Sequence, residues 1–351
     1  MRAEYDYLNA RVRALSTQLL RPPDYERLLA ADGEEAVLDL LHGTAYRREL
    51  AEAMTVGHGL PAIESALGRH LSATFARLRA MAPGQARLLL GVQAGQWDAA
   101  NLLAVLRGKL TAAEPREIVE ALLPFGEASE PQLAELAAQP GLEAMAALLA
   151  TWGYPFTARV RVLLRSAGAH PDLPELEMAV NDAYFGWALE QAGGRDPDSG
   201  LVREILRMQI DLANVKAALD GVRHRMHGES VPDFRALAGG KLAPAVFKAL
   251  GQAASMVEAF EALEASYFAA GIEKGILAFG LAGNLGVMER FLEVVLIRAG
   301  CRLFRTDPLG IGVPLGFMWR KYSEYLNLRL LLRGRSYRQP AGVIREELLY
   351  A

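Results

Sequence analysis

The stretch KYSEYLNLRLLLRG, residues 321–334, contains a pattern that occurs three times along the chain. In each copy an acid is followed three residues later by asparagine and seven residues after that by glycine. The other copies are DAANLLAVLRG at 98–108 and DLANVKAALDG at 211–221, so consecutive copies are 113 residues apart. A constant period indicates a structural unit that is repeated in space, and the sequence predicts one module used about three times.

The residues around these copies favour helices. Strand signals are almost absent, and the good helix formers Ala, Leu, Arg and Glu dominate. Apolar residues recur at intervals of three and four, and proline and glycine interrupt the chain at helical lengths. The sequence therefore predicts an all-α protein. Because each copy lies late in its unit, we place three helical domains at 1–112, 113–226 and 227–351.

The acid, asparagine and glycine of each copy fall on one face of a helix. Together these are Asp98, Asn101, Gly108, Asp211, Asn214, Gly221, Glu324, Asn327 and Gly334. Asparagine inside a helix costs about 0.5 kcal/mol relative to alanine, so its recurrence implies a compensating hydrogen bond. We interpret the acid and the asparagine as bonded to a neighbouring helix, and the glycine as a left-handed cap or a close-packing point. Acid–base catalysis would need the acids to converge in one cleft, which three separate modules do not obviously provide.

Composition and missing motifs exclude several classes of function. A net charge of −3 argues against a nucleic-acid protein, and one cysteine, Cys301, excludes an intramolecular disulfide. We predict a cytoplasmic protein with no membrane span, because no apolar stretch is long enough. No P-loop, zinc-binding helix, nucleophile elbow or aspartate-rich helix is present, so we expect no catalytic residue, cofactor or metal. We interpret Cys301 as a core residue, and His224, His227 and Glu229 as solvated rather than metal-binding.

Two stretches suggest interfaces. Small residues recur from 271 to 286 and favour close helix packing, either in a buried hairpin or at an interface. The run 320–338 is strongly basic, with Glu324 as its one acid. It is either a solvated face or a patch that meets an acidic partner or a membrane surface. The candidate partner-binding residues are Arg320, Lys321, Arg329, Arg333 and Arg335.

The C-terminal run DPLGIGVPLGFMWRKYSEYLNLR, residues 307–329, resembles the family of the C subunit of V/A-type (vacuolar/archaeal-type) ATPases, which in eukaryotes is called the d subunit. That family has a small apolar loop and then a helix with Lys-x-x-Glu-x-x-Asn-Leu-Arg and a closing glycine. The residues that fit are Lys321, Glu324, Asn327, Leu328, Arg329 and Gly334. The start of the chain at Tyr7 to Asn9 and the other two Asp-x-x-Asn helices are also similar, and the composition resembles a bacterial member.

The resemblance implies a non-catalytic part of a rotor. The family folds as three similar helical domains around a pseudo-threefold axis, forming a funnel. The funnel sits on the cytoplasmic face of the proteolipid ring of a proton-translocating ATPase/ATP synthase, as a single copy, and receives the central shaft. The resemblance implies a socket that couples shaft to ring, with no cofactor and no nucleic acid.

Two other functions stay open at this point. One is a free-standing helical-repeat scaffold that binds protein partners, although such repeats have periods of about 20–45 residues. The other is an all-α enzyme, which the missing motifs disfavour. Co-purification with a proteolipid ring and a shaft distinguishes the rotor part from both.

Overall fold

The structure is a computed structural model that describes residues 3–153, 156–166, 172–229 and 234–350. Within these ranges the chain forms eighteen helices and no strand, which confirms the all-α prediction. None of these helices is both long and apolar enough to cross a bilayer.

The helices group into two compact units. Unit 1 comprises Met1–Leu173 and Cys301–Ala351, and unit 2 comprises Pro174–Gly300. The first ten helices are α1 Ala3–Ser16, α2 Pro22–Ala30, α3 Gly33–His42, α4 Arg47–Met54, α5 Gly59–Met81, α6 Gly84–Leu110, α7 Pro115–Glu120, α8 Glu130–Ala138, α9 Leu142–Trp152 and α10 Thr157–Ser166. The other eight are α11 Leu173–Gln191, α12 Pro197–Met226, α13 Pro244–Gln252, α14 Met256–Glu264, α15 Ala269–Ala282, α16 Leu285–Thr306, α17 Gly312–Ser336 and α18 Ala341–Glu347.

Helix α17 is the centre of unit 1. It packs on α1, α5, α6 and α18, and it is buried on most sides because its apolar residues surround the helix. Aromatic rings join it to α6 and to the segment after α7, with Trp97 and Tyr322 centroids 5.4 Å apart and Phe125 and Tyr325 centroids 5.1 Å apart. Gly316 permits the close approach of the preceding helix, since a Cβ there would lie 2.2 Å from the Phe304 nitrogen.

In unit 2, α12 packs on α13 and α14, and α14 packs on α15. The small residues from 271 to 286 build a helical hairpin of α15 and the start of α16. A Cβ on Gly275 would lie 2.5 Å from the Met288 sulfur, so the glycine is required for this packing. The outer face of α15 is not covered, since Leu277 is 72% and Leu281 84% exposed.

The helices that carry the repeated pattern, α6, α12 and α17, end in the same way. A residue in the left-handed region follows each helix, and these residues are Ala112 (φ 55°), Gly228 (φ 75°) and Arg338 (φ 56°). The next N–H then bonds back to a carbonyl in the last turn, as Ala113 does to Gly108 at 2.8 Å. This is the Schellman arrangement, in which glycine is the residue with the lowest conformational cost.

Ala112 occupies this position with a side chain, which costs an L-residue about 1–2 kcal/mol. We expect Ala112→Gly to raise the free energy of unfolding by about 0.5–1 kcal/mol, after the entropy cost of glycine in the unfolded chain. Urea denaturation of the purified chain measures the change. The control is Ala113→Gly, which sits at negative φ and is expected to destabilise. A loss of stability in Ala112→Gly would contradict the interpretation.

Candidate functional site

The three asparagines form three equivalent backbone clamps. In each, the side-chain amide donates to the carbonyl of a leucine in an extended segment, and the side-chain oxygen accepts the N–H of the same leucine. All six distances lie between 2.7 and 3.0 Å. The pairs are Asn101 with Leu123, Asn214 with Leu237 and Asn327 with Leu349.

Each asparagine is 2% exposed, so its amide has both donor and acceptor groups to satisfy away from solvent. One leucine backbone supplies both partners. The compensating hydrogen bond expected from the sequence is therefore present, but its partner is an extended segment 22 or 23 residues downstream rather than a neighbouring helix.

The acids of the first two copies hold the same downstream segment a few residues further on. Asp98 accepts the N–H groups of Glu127 at 2.8 Å and Ala128 at 3.0 Å. Asp211 accepts those of Lys241 at 2.7 Å and Leu242 at 3.0 Å, and also the Tyr267 hydroxyl at 2.7 Å.

A glycine precedes each of these turns, and sequence reasoning missed both. A Cβ on Gly126 would lie 2.1 Å from an Asp98 oxygen, and a Cβ on Gly240 would lie 2.0 Å from an Asp211 oxygen. The carboxylates can therefore reach the backbone only because no side chain is present. The signal was available, since these two glycines are 114 residues apart, close to the period of the motif.

The third acid, Glu324, has different partners from the acids of the first two copies. It bonds to the start of the chain instead: Oε2 accepts the N–H of Leu20 at 2.6 Å, and Oε1 accepts the Tyr46 hydroxyl at 2.6 Å. Asn327 meanwhile clamps Leu349 near the other end of the chain. The third copy thus fastens three segments to α17: the one between α1 and α2, the one before α4 and the one after α18.

The carboxylate of Glu324 is also paired with Lys321, whose Nζ lies 2.5 Å from Oε1. Lys321 is 3% exposed, so it lies inside unit 1 and not on its surface. Its ammonium also sits over the Tyr46 ring, 4.3 Å from the centroid. Burial and the Glu324 carboxylate raise the pKa of Tyr46, which keeps its hydroxyl protonated as a donor.

Next to this group lies a second pair, His70 and Glu49, with the His70 Nδ1 3.0 Å from a Glu49 oxygen. Burial, followed by the charge of Lys321, lowers the pKa of His70 in spite of the Glu49 carboxylate. The imidazole is therefore neutral at pH 7.

Two of the motif glycines, Gly108 and Gly334, are close-packing points, and none of the three is a left-handed cap. None of the three has a positive φ. A Cβ on Gly108 would lie 2.4 Å from Ile118, and a Cβ on Gly334 would lie 2.8 Å from Ile344, ten residues downstream in both cases. Gly221 lies within α12, and the residue ten further on, at position 231, lies outside the described residues.

The basic residues of α17 are largely engaged within unit 1. Arg333 makes a two-pronged ion pair with Glu64 at 2.5 and 2.8 Å, and Arg329 lies 3.7 Å from the same carboxylate. Arg335 donates to the carbonyls of Leu29 and Ala31, and the Arg320 guanidinium lies 4.2 Å from the centroid of Phe304. Glu64 is far away in sequence, which is why the run 320–338 looked unbalanced on its own.

The remaining reactive side chains have structural surroundings. Cys301 is buried, and burial raises its thiol pKa to about 12, so it is a core residue and not an activated nucleophile. His224 lies against Asp220 and Glu229 near the end of α12. In the part of the chain that the structure describes, no group of three or more His, Cys, Asp and Glu side chains could hold a metal ion. The acids of the motif are occupied by backbone N–H groups, so the arrangement holds chain segments in place.

Removing the third clamp is expected to destabilise the protein. Asn327→Ala leaves the Leu349 N–H without its acceptor and its carbonyl with only the Ser323 hydroxyl, at an expected cost of about 2–3 kcal/mol. A chain truncated after Leu348 loses the same clamp from the other side. The two changes together should therefore cost little more than the larger single effect, as measured by urea denaturation. Truncation after Leu349 is the control for the loss of Tyr350, and fully additive effects would contradict the clamp.

The first acid makes stability depend on pH. Burial raises the pKa of Asp98 from its ordinary value to about 6, in spite of two N–H donors. The folded state therefore holds a proton that the unfolded state releases between pH 4 and 6. The stabilisation is complete below the unfolded pKa and is lost as pH rises through 6.

We expect the stability of the wild type relative to Asp98→Asn to fall by about 2 kcal/mol between pH 4.5 and pH 7.5. The asparagine has no proton to lose, so it is the reference at each pH. Urea denaturation across this range measures the difference, and parallel pH profiles for the two proteins would contradict the raised pKa.

Comparisons with known proteins agree with one family across the chain. The family model of the ATP synthase (C/AC39) subunit matches residues 8–347. The C subunit of the V-type ATP synthase of Thermus thermophilus is 28% identical over 352 residues, covering 99% of both chains. The protein of the same name from Deinococcus radiodurans is 26% identical, covering 98% of this chain and 91% of its own. The C subunit of the A-type ATP synthase of Methanocaldococcus jannaschii is 23% identical, covering 95% and 83%.

The matched residues include all three copies of the motif and the clamped residues Leu123 and Leu237, and they end two residues before Leu349. The chain belongs to the ATP synthase (C/AC39) subunit family.

Proposed function

We propose that this protein is a non-catalytic central-rotor subunit of a V/A-type proton-translocating ATPase/ATP synthase. In this role it is a socket on the cytoplasmic side of the membrane, which joins the central shaft to the proteolipid ring and transmits torque between them. It would contact the membrane only through the complex and would be present there as one copy.

The observation that carries the proposal is that the residues of the family's motif hold distant chain segments in place. The three asparagines and three acids are buried and bonded to backbone groups of distant segments. Clamps of this kind limit the relative movement of helices and loops, because both ends of each hydrogen bond lose their partner when a segment shifts. A part that transmits torque needs this stiffness.

The equal spacing of the clamps supports three similar helical modules, which we still place at 1–112, 113–226 and 227–351. We propose that they are related by a pseudo-threefold axis and form a funnel, as the family resemblance implies. The bonds from Glu324 of the third copy to Leu20 and Tyr46 of the first module support such a closed arrangement, in which the last module meets the first.

We keep the basic face of α17 as a proposed partner contact, with Arg333 as its most accessible member. Its side chain is 50% exposed although it is paired with Glu64, which is 19% exposed. Arg320, Arg329 and Arg335 would act mainly by positioning this face, and the buried Lys321 would act only through Glu324.

The test is co-elution of the purified protein with the detergent-solubilised proteolipid ring and, separately, with the shaft heterodimer of the same organism. We expect binding to both and no ATPase activity from the protein alone. Binding to neither, under conditions where the intact complex survives, would contradict the rotor role and leave the helical scaffold.

The same experiment examines the α17 face with a matched pair of variants. Arg333→Gln and Glu64→Gln each remove the internal ion pair, so both are expected to lower stability slightly. Only Arg333→Gln removes the positive charge that would contact a partner, and it is expected to weaken binding either to the ring or to the shaft. Equal binding by the two variants would remove α17 from the interface.

A further inference from the structure

Helix α10 is the least balanced charged surface in unit 1. Its sequence, TARVRVLLRS, contains Arg159, Arg161 and Arg165 and no acid. The helix is ten residues long and packs on α9, whose one charged residue is Glu143. The arginines therefore have no acidic side chain near them on α10 itself.

Arg159 and Arg165 lie on the exposed face of α10, and Arg161 lies half-buried at its edge. Val160 and Leu164 are buried, at 0% and 3% exposure, and they attach the helix to α9. On the opposite side Val162 is 67% exposed, with Arg159 on one flank and Arg161 and Arg165 on the other.

Some exposed arginines of the protein pair with a glutamate four residues away, as Arg48 does with Glu52 and Arg116 with Glu120. Among the residues that the structure describes, Arg159, Arg161 and Arg165 have no ion-pair or hydrogen-bond partner. The Nε of Arg161 is in addition buried without an acceptor.

The start of the helix lies beside the first acid clamp. Phe156 and Thr157, each 3% exposed, line a small cavity of about 20 Å³ together with Asp98 and Leu149. Asp98 in turn holds the backbone at Glu127 and Ala128. Because Phe156 and Thr157 are buried, the start of α10 is packed into unit 1, and such a support lowers the entropy cost of binding.

We infer that the exposed face of α10 is a docking surface for an acidic helix of a neighbouring subunit, whose carboxylates meet Arg159, Arg161 and Arg165 around Val162. This inference rests on the proposed function, because the neighbour belongs to the same complex. Arginine favours carboxylates through two parallel hydrogen bonds, and arginine around an apolar centre is typical of protein interfaces.

An acidic protein fits this surface better than an anionic membrane does. Basic segments that bind anionic lipids carry about four to eight lysines or arginines, whereas α10 has three. They also bind as loose clusters, whereas these three arginines have fixed positions on either side of one apolar residue.

The experiment compares two double variants with the wild type in binding to the ATPase complex from which this subunit has been removed. Arg159→Gln with Arg165→Gln removes two charges from α10. Arg11→Gln with Arg47→Gln removes two exposed charges from other helices of unit 1 and is the control. We expect the α10 variant to bind about tenfold or more weakly at low salt, with the difference shrinking as the ionic strength rises, and the control to bind like the wild type.

A photo-crosslinking amino acid in place of Val162, in the reassembled complex, identifies the neighbour. A crosslink to a segment with at least two acids within one helical turn is the expected result. Equal binding of both double variants, or a crosslink to a segment without acids or to lipid, overturns the inference while leaving the proposed function intact. Selective loss of binding to phosphatidylglycerol vesicles by the α10 variant also overturns it. Failure of the wild type to bind the ATPase complex from which this subunit has been removed overturns both the inference and the proposed function.

Discussion

A peptide group that leaves a helix and stays buried must find a donor and an acceptor elsewhere, and this requirement organises the protein. The side-chain amide of asparagine satisfies both at once, because it carries one carbonyl and one NH₂ group. At Leu123, Leu237 and Leu349 the chain has left a helix and runs extended, and at each place an asparagine from a long helix supplies both bonds. The segments after α7, after α12 and after α18 take their positions from these contacts.

The third copy uses the same device with different partners. The acid here is glutamate rather than aspartate, and its side chain, longer by one methylene, reaches Leu20 from α17. A buried carboxylate with a single N–H donor would be poorly stabilised, and Lys321 and Tyr46 compensate. The first two copies have Gly95 and Met208 at the position of Lys321, since their acids each have two consecutive N–H donors. The difference in sequence between the copies therefore follows from the difference in their partners.

Part of this arrangement could be predicted from the sequence. The period, the helical character and the need for a partner at each asparagine follow from residue types and spacing, which act locally. The identity of the partner does not, because a carboxamide binds any exposed peptide group and nothing in Leu123 or Leu349 marks it. The surroundings of Lys321 and Arg333 were also out of reach, since their acidic and phenolic neighbours come from α5 and the segment before α4, more than 250 residues away. The charges of a basic run in the sequence are balanced by acids that the fold brings close from distant parts of the chain.

The acids and the amides of the motif differ in how their hydrogen bonds depend on pH. The pKa of Asp98 is raised to about 6 by burial, so its hold on Glu127 and Ala128 changes in character within a pH unit or so of neutrality. The asparagines do not titrate, and their bonds to the backbone are the same at every pH at which the protein folds. For a part that we propose to transmit torque while protons cross the nearby membrane, a constant geometry is an advantage. The amides therefore supply the stiffness that is independent of pH, and this is a physical reason for asparagine, rather than a second acid, at all three positions.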